Sequence, residues 1–261
     1  MKKSMLMALA AVGLLAVSAG ASASQWKEIR FGVEASYPPF ESKAADGKLV
    51  GFDIDLGNEI CKRLQAKCVW VENDFDGLIP ALKARKFDGI LSSMSVTEPR
   101  QKQIGFSSKL FNTPTRMLAK AGSGLMPTAA SLKGKRVGVQ QGTIQEAYAK
   151  LHWAAAGVEV VPYQSQNQVL ADLKSGRLDA TLQDAIEADQ GFLQKPDGKG
   201  FAFAGNDLND PKTLGVGSAV GLRKEDTALK AAIDQAIAGM LKDGTFKKIE
   251  ARYFRFDVYG Q

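Results

Sequence analysis

The sequence predicts an α/β protein of two lobes with like topology, each a mostly parallel sheet flanked by helices. Three observations predict it. Short β-rich runs alternate with helical stretches, the pattern of βαβ units. The alternation is written twice, in register. Two stretches belong to neither copy, and these become the crossings between lobes.

The elements follow in order. Ile29–Glu34 (IRFGVE) reads as a strand, and Asp53–Gln65 places Ile54, Leu56, Ile60 and Leu64 close to helical spacing. Cys68–Glu72 (CVWVE) is a second strand. Phe75–Lys86 is a helix with an early proline, and Phe87–Ser93 (FDGILSS) a third strand. The second copy begins at Arg136–Gln140 (RVGVQ), which matches Arg30–Glu34 (RFGVE). Val158–Gln164 then matches Cys68–Asp74, and Leu173–Asp184 (LKSGRLDATLQD) matches Leu82–Ser93 (LKARKFDGILSS). The unmatched stretches are Leu110–Lys120 and Leu208–Lys224. Two crossings send the C-terminal helices back onto the first lobe.

Open α/β sheets bind ligands beyond the carboxyl ends of their strands. The repeat sets Glu34 opposite Gln140 and Ser93 opposite Asp184, so a cleft between facing lobes would carry all four.

The first residues bear on location. Lys2 and Lys3 precede an apolar run, Met5–Ala16, and Ala21-Ser22-Ala23 supplies small residues for cleavage near Ala23/Ser24, the pattern of an export signal. The run is too short to span a bilayer. Removing it lowers the formal charge from +6 to +4 and leaves 238 residues. No Lys/Arg cluster alternates with aromatics, so nucleic-acid binding has little support. Cys61 and Cys68, an even and closely spaced pair in an exported chain, read as a structural disulfide. The single histidine, His152, stands far from both, so neither a metal site nor a cofactor is expected.

The candidate ligand residues fall at the strand ends. Arg100 offers a planar fork that holds a carboxylate bidentately. Ser92, Ser93 and Ser95 add donors beside it, and Pro99 starts the next helix at its first position. A capping motif with a solvated arginine explains the same stretch equally well. Gly142 leads into a helix whose first N–H groups, near Thr143 and Ile144, form an anion site. Asp184 either accepts from an ammonium group or caps a helix. Glu34 adds a second acid, and Tyr37 and Phe75 flank a cation by stacking. Asp53 completes the candidate set, although a helix-dipole role is the simplest account of it.

At this point the chain resembles the periplasmic lysine/arginine/ornithine- and histidine-binding proteins of polar amino acid ABC transporters, solute-binding protein family 3. The resemblance rests on YPPF, GFDIDL, C-x6-C, FDGLIPALKARK, ILSSMSVTEPR, LKGKRVGV-QGT, LQD and the terminal YFRFDVYG, spread over the mature chain. It implies the type II periplasmic binding fold with two hinge strands. Lobe one is then 24–111 with 218–261, lobe two 116–208, and the crossovers 112–115 and 209–217. It implies that Arg100 and the N–H groups of Ser95 and Ile144 take an α-carboxylate. Ser93, Ser95 and Asp184 take the α-ammonium, and Glu34 and Ser92 reach the side chain between Tyr37 and Phe75. The Cys61–Cys68 bridge also matches. Three positions depart from these relatives: Glu34 where Asp is common, Gln140 for leucine and Ile144 for threonine. The expected protein is a periplasmic, monomeric receptor for a cationic L-amino acid, arginine first, that serves an ABC permease. The rival is a dehydratase-like enzyme on the same fold, with Glu34 as a general acid; no activated nucleophile or histidine-based pair supports it.

Overall fold

A computed structural model describes residues 25–260. The export signal and its cleavage point lie outside the described residues. The elements in chain order begin with strands β1 (Glu28–Val33), β2 (Ser36–Tyr37), β3 (Glu41–Lys43) and β4 (Leu49–Val50). Helix α1 (Phe52–Arg63), β5 (Lys67–Glu72), α2 (Leu78–Lys83), β6 (Gly89–Ile90), α3 (Glu98–Gln101) and β7 (Gly105–Phe111) follow. The second run is β8 (Thr115–Lys120), α4 (Ala129–Leu132), β9 (Arg136–Gln140), α5 (Ile144–His152), β10 (Glu159–Tyr163), α6 (Gln166–Lys174), β11 (Ala180–Asp184) and β12 (Phe201–Leu208). Helix α7 (Pro211–Leu214), β13 (Ser218–Leu222), α8 (Thr227–Lys242) and α9 (Thr245–Glu250) complete the chain.

Two five-stranded sheets carry the lobes, in the orders β5-β1-β6-β13-β7 and β10-β9-β11-β8-β12. They are the same arrangement. Gly32 of β1 pairs with Val71 and Ile90, and Gly138 of β9 pairs with Val161 and Thr181. These are the partners that the internal repeat sets in register. Each sheet departs from parallel at one strand, β13 and β8, which run against both neighbours. The crossings explain it. A chain that leaves one lobe at its cleft end must enter the other at the cleft end, so its first strand there runs away from the cleft.

The connecting segments between strands are 112–114 and, with α7 inside it, 209–217, shorter than the unmatched stretches because β7, β8 and β13 take in their flanks. The C-terminal helices pack on lobe one. Leu229, Ile233, Ile237 and Met240 of α8 and Phe246 and Ile249 of α9 join Ile29, Phe31, Leu56 and Ile60 in one buried cluster. Each such side chain contributes about 1.5–3 kcal/mol on burial. Cys61 and Cys68 are bonded, tying the end of α1 to β5 with Cα atoms 5.6 Å apart. In lobe two a separate cluster gathers Val137, Val139, Ala149, Trp153 and Leu182 around β9 and β11.

The hairpin β2–β3 lies beside the cleft rather than in either main sheet. Phe40 at its turn is fully buried, stacked on Phe111 at 5.2 Å. That anchor fixes its neighbours Tyr37 and Glu41 at the cleft wall.

Candidate functional site

The site lies where the strand ends of the two lobes meet. From lobe one, the chain leaves β6 through Ser92, Ser93 and Ser95. Ser93 adopts a left-handed backbone with φ +49°, sparsely populated for a non-glycine residue. Its N–H donates to Asp53 Oδ2 at 2.6 Å, which helps to hold it there. Thr97 caps α3, its Oγ1 accepting the Arg100 N–H at 3.4 Å, and Pro99 takes the second helical position rather than the first. The capping motif and the site are therefore one structure: the cap sets the turn from which Arg100 reaches the cleft. The guanidinium donates to the Ser95 carbonyl at 2.7 Å and to the Gly142 carbonyl of the other lobe at 3.0 Å, and lies 5.5 Å from the Phe75 ring centre. Among the described residues it pairs with no carboxylate. Burial lowers it to about 10.

From lobe two, β9 ends at Gln140, whose Nε2–H donates to Glu34 Oε2 at 2.7 Å across the cleft. Gly142 has φ +78°, and a Cβ there would stand 2.9 Å from Asp76 Cα of lobe one, so only glycine allows the turn and the close approach together. Thr143 caps α5, accepting the Glu146 N–H at 3.2 Å and donating to the Gln140 carbonyl at 2.6 Å. Glu146 takes the Gly142 N–H at 2.6 Å, so part of the anticipated anion site is filled by the helix's own acid, and α5 begins at Ile144, which lines the cavity. Asp184 ends β11 and does both things expected of it: it faces the cavity, and its Oδ1 accepts the N–H groups of Ile186 and Glu187 at 2.8 and 3.0 Å. Thr113, in the crossing, donates to its Oδ2.

These groups enclose a cavity between the two lobes. Glu34, Tyr37, Phe75, Ser92, Ser93, Ser95, Arg100, Gln140, Thr143, Ile144 and Asp184 all line it. Asp53 does not. It is 1% exposed, behind Ser93 in the first turn of α1, where its negative charge complements the helix dipole. Three further residues line the wall that sequence reasoning missed: Glu41, Thr113 and Gln145. For Glu41 the available sign was its place directly after Phe40, a core residue. Behind the wall, Glu187 is also buried, and its position three residues after Asp184 on a helical segment was the available sign.

The electrostatics are lopsided. Glu34, Glu41, Asp53, Asp184 and Glu187 are each at most 7% exposed. Burial raises the carboxyl of every one of them, most strongly Glu41 and Glu187. Among the described residues none pairs with a lysine or arginine. Buried acids without a base disfavour their own ionisation. A cation placed among them would reverse that, and an anion placed on Arg100 would pair its charge. His152, by contrast, sits at the surface against Asp210 at 2.9 Å.

Two lobes of one topology, closed over a cavity with a buried arginine at its wall that pairs with no acid among the described residues, define a bilobal solute receptor. The chain belongs to the bacterial extracellular solute-binding proteins, family 3, whose model matches residues 29–256. It is thus a solute-binding protein rather than an enzyme. It is 52% identical to the lysine/arginine/ornithine-binding periplasmic protein of Escherichia coli K12 over the full length of both. It is 48% identical to the histidine-binding periplasmic protein of Salmonella typhimurium, covering 99% of each chain. Among solved structures, an ancestral arginine-binding protein bound to arginine superposes with a TM-score of 0.82 at 36% identity, covering 87% of this chain and 98% of that one.

Proposed function

We propose that this protein is a periplasmic receptor for a cationic L-amino acid, arginine first, with ornithine, lysine and histidine close behind. The observation that carries this reading is the charge pattern of the cavity: one buried guanidinium with no acid, facing buried carboxyl groups with no base. That pattern is complementary to a molecule with one carboxylate and two cationic groups. In this reading Arg100 takes the α-carboxylate bidentately, helped by the N–H groups of Ser95 and Ile144, while Thr143 holds the helix start that presents the latter. Ser93, Ser95 and Asp184 take the α-ammonium. Glu34, kept in place by Gln140, and Ser92 accept from the distal cation, and Tyr37 and Phe75 flank the side chain.

Contacts from both lobes favour the closed arrangement, so ligand binding shifts the receptor toward it, and an ABC permease reads that state. The receptor acts as a monomer after export and cleavage near Ala23/Ser24. The names of its relatives support the ligand class. A dissociation constant of about 10 nM to 1 μM corresponds to about −8 to −11 kcal/mol. Titration calorimetry with the twenty amino acids and ornithine tests the reading: arginine, ornithine, lysine or histidine should bind most tightly. Failure of all four to bind removes it.

A further inference from the structure

Beneath the serines lies an acid to which the binding scheme above gives no role. Glu41 opens β3 and is 1% exposed. Its Oε1 lies 2.9 Å from Ser92 Oγ and its Oε2 lies 3.3 Å from Ser93 Oγ. Asp53 Oδ2 reaches the same Ser93 Oγ at 3.3 Å. Ser92 Oγ also accepts the Glu34 N–H at 3.0 Å.

The hydrogens can be counted. An ionised carboxylate only accepts, and a serine hydroxyl has one hydrogen to give. Ser93 stands between two carboxyl oxygens and can satisfy one of them. The other contact sets lone pair against lone pair unless a carboxyl carries a hydrogen, so the arrangement calls for one acidic proton. Asp53 is the better anion of the two, because it takes a backbone N–H and lies at the N-terminus of α1. Glu41 has neither support and is the proton's site. Burial, and then the nearby Asp53, push its carboxyl well above the usual range.

We propose that Glu41 is a positioning residue for ligand binding: it donates its proton to Ser93 in the free receptor and releases it to solvent when a cationic amino acid binds. The ligand's ammonium then replaces the Glu41 hydroxyl as the donor to Ser93 Oγ, whose own hydrogen stays directed to Asp53; ionised Glu41 keeps the Ser92 hydroxyl hydrogen, and the ligand's positive charge offsets the second carboxylate that the missing proton leaves beside Ser93. This inference rests on the cationic amino acid reading above. The groups facing Glu41 are Glu34 at the end of β1, Asp53 on α1 and Tyr37 on β2, with Asp184 and Glu187 acting on the same Tyr37 from lobe two. None of them brings positive charge, so the ligand is what favours the ionised form.

Calorimetry of arginine binding to the mature receptor, in buffers of different ionisation enthalpy between pH 6 and 8, reads the exchange directly. Wild type should release up to about one proton per arginine, with affinity rising up to about tenfold per pH unit. Glu41→Gln keeps a donor to Ser93 permanently; it should release no proton, lose the pH dependence and bind arginine about tenfold more weakly at pH 8. Binding by wild type without proton release overturns the role of Glu41, and this outcome needs no variant. Release that persists in Glu41→Gln overturns it too, assigning the proton to another acid. If arginine, lysine, ornithine and histidine all fail to bind, the receptor reading falls, and this inference with it.

Discussion

Lobe one and lobe two lay down the same three parallel strands in the same register and even repeat their supporting contacts. The Arg30 N–H donates to Asp88 at 3.0 Å, and the Arg136 N–H to Asp179 at 2.8 Å. Gly32 faces the Phe87 ring where Gly138 faces Leu178. The strand ends diverge. Lobe one ends its third strand in serines and carries the arginine; lobe two ends the equivalent strand in Asp184 and offers a helix start. A duplicated frame supplies equivalent positions in space, and the residues placed around the cavity differ in charge, a buried arginine from lobe one and a buried aspartate from lobe two. What differs lies at the carboxyl ends of the strands, where side chains leave the sheet and packing no longer dictates them.

The largest expected effect breaks the charge division. Arg100→Ala should weaken arginine binding by about 3–5 kcal/mol, because it leaves a desolvated carboxylate without a partner. Asp184→Asn should cost about 1.5–3 kcal/mol, since Ser93 and Ser95 share the ammonium with it. Calorimetry on both variants ranks the lobes, and an equal loss would contradict an unequal division. A smaller effect tests the common frame. A Cβ at Gly32 would meet the Phe87 ring at 2.4 Å, and one at Gly138 would meet Leu178 Cδ1 at 2.4 Å. Each alanine should destabilise by about 1–3 kcal/mol. Gly32→Ala should be the worse, because an aromatic ring yields less than the end of a leucine; thermal melts decide it.

The smallest effect concerns pH. The buried carboxyls are raised in the folded chain, with Asp53 moved from 3.8 to about 7. Between those values the folded state holds protons that the unfolded chain has released, so stability falls as pH rises through the window. Groups held low by partners, such as Asp88 beside Arg30, act the other way, and their stabilisation is lost only as pH falls below the ordinary carboxylate range. The ligand-free receptor should therefore melt at a higher temperature at pH 5 than at pH 7.5. Saturating arginine should remove most of that difference. A melting temperature that does not depend on pH in the free protein would mean that the acids are compensated.

The repeat, the two-lobed α/β architecture and the strand ends facing the cleft were legible in the chain alone, because hydrophobic periodicity is a local signal and here it is written twice. Ser93, Glu34 and Asp184 were legible for the same reason, since each ends a strand at a position that the register fixes, whereas Arg100, in α3 beyond the repeat, was legible from the chemistry of its side chain. Only the tertiary structure decided that Asp53 stands behind the wall and Glu41 within it. Asp53 comes from the start of α1 and Glu41 from a hairpin outside the repeat. Their burial is set by the packing of Phe40 and Phe52 against Phe111 and the returning C-terminal segment, at 5.7 Å from Phe40 to Phe254 and 5.0 Å from Phe52 to Phe254. Contacts between segments some two hundred residues apart leave no period in the sequence, so which of the two carboxyls faces the cavity and which stands behind it was settled only when the chain had folded.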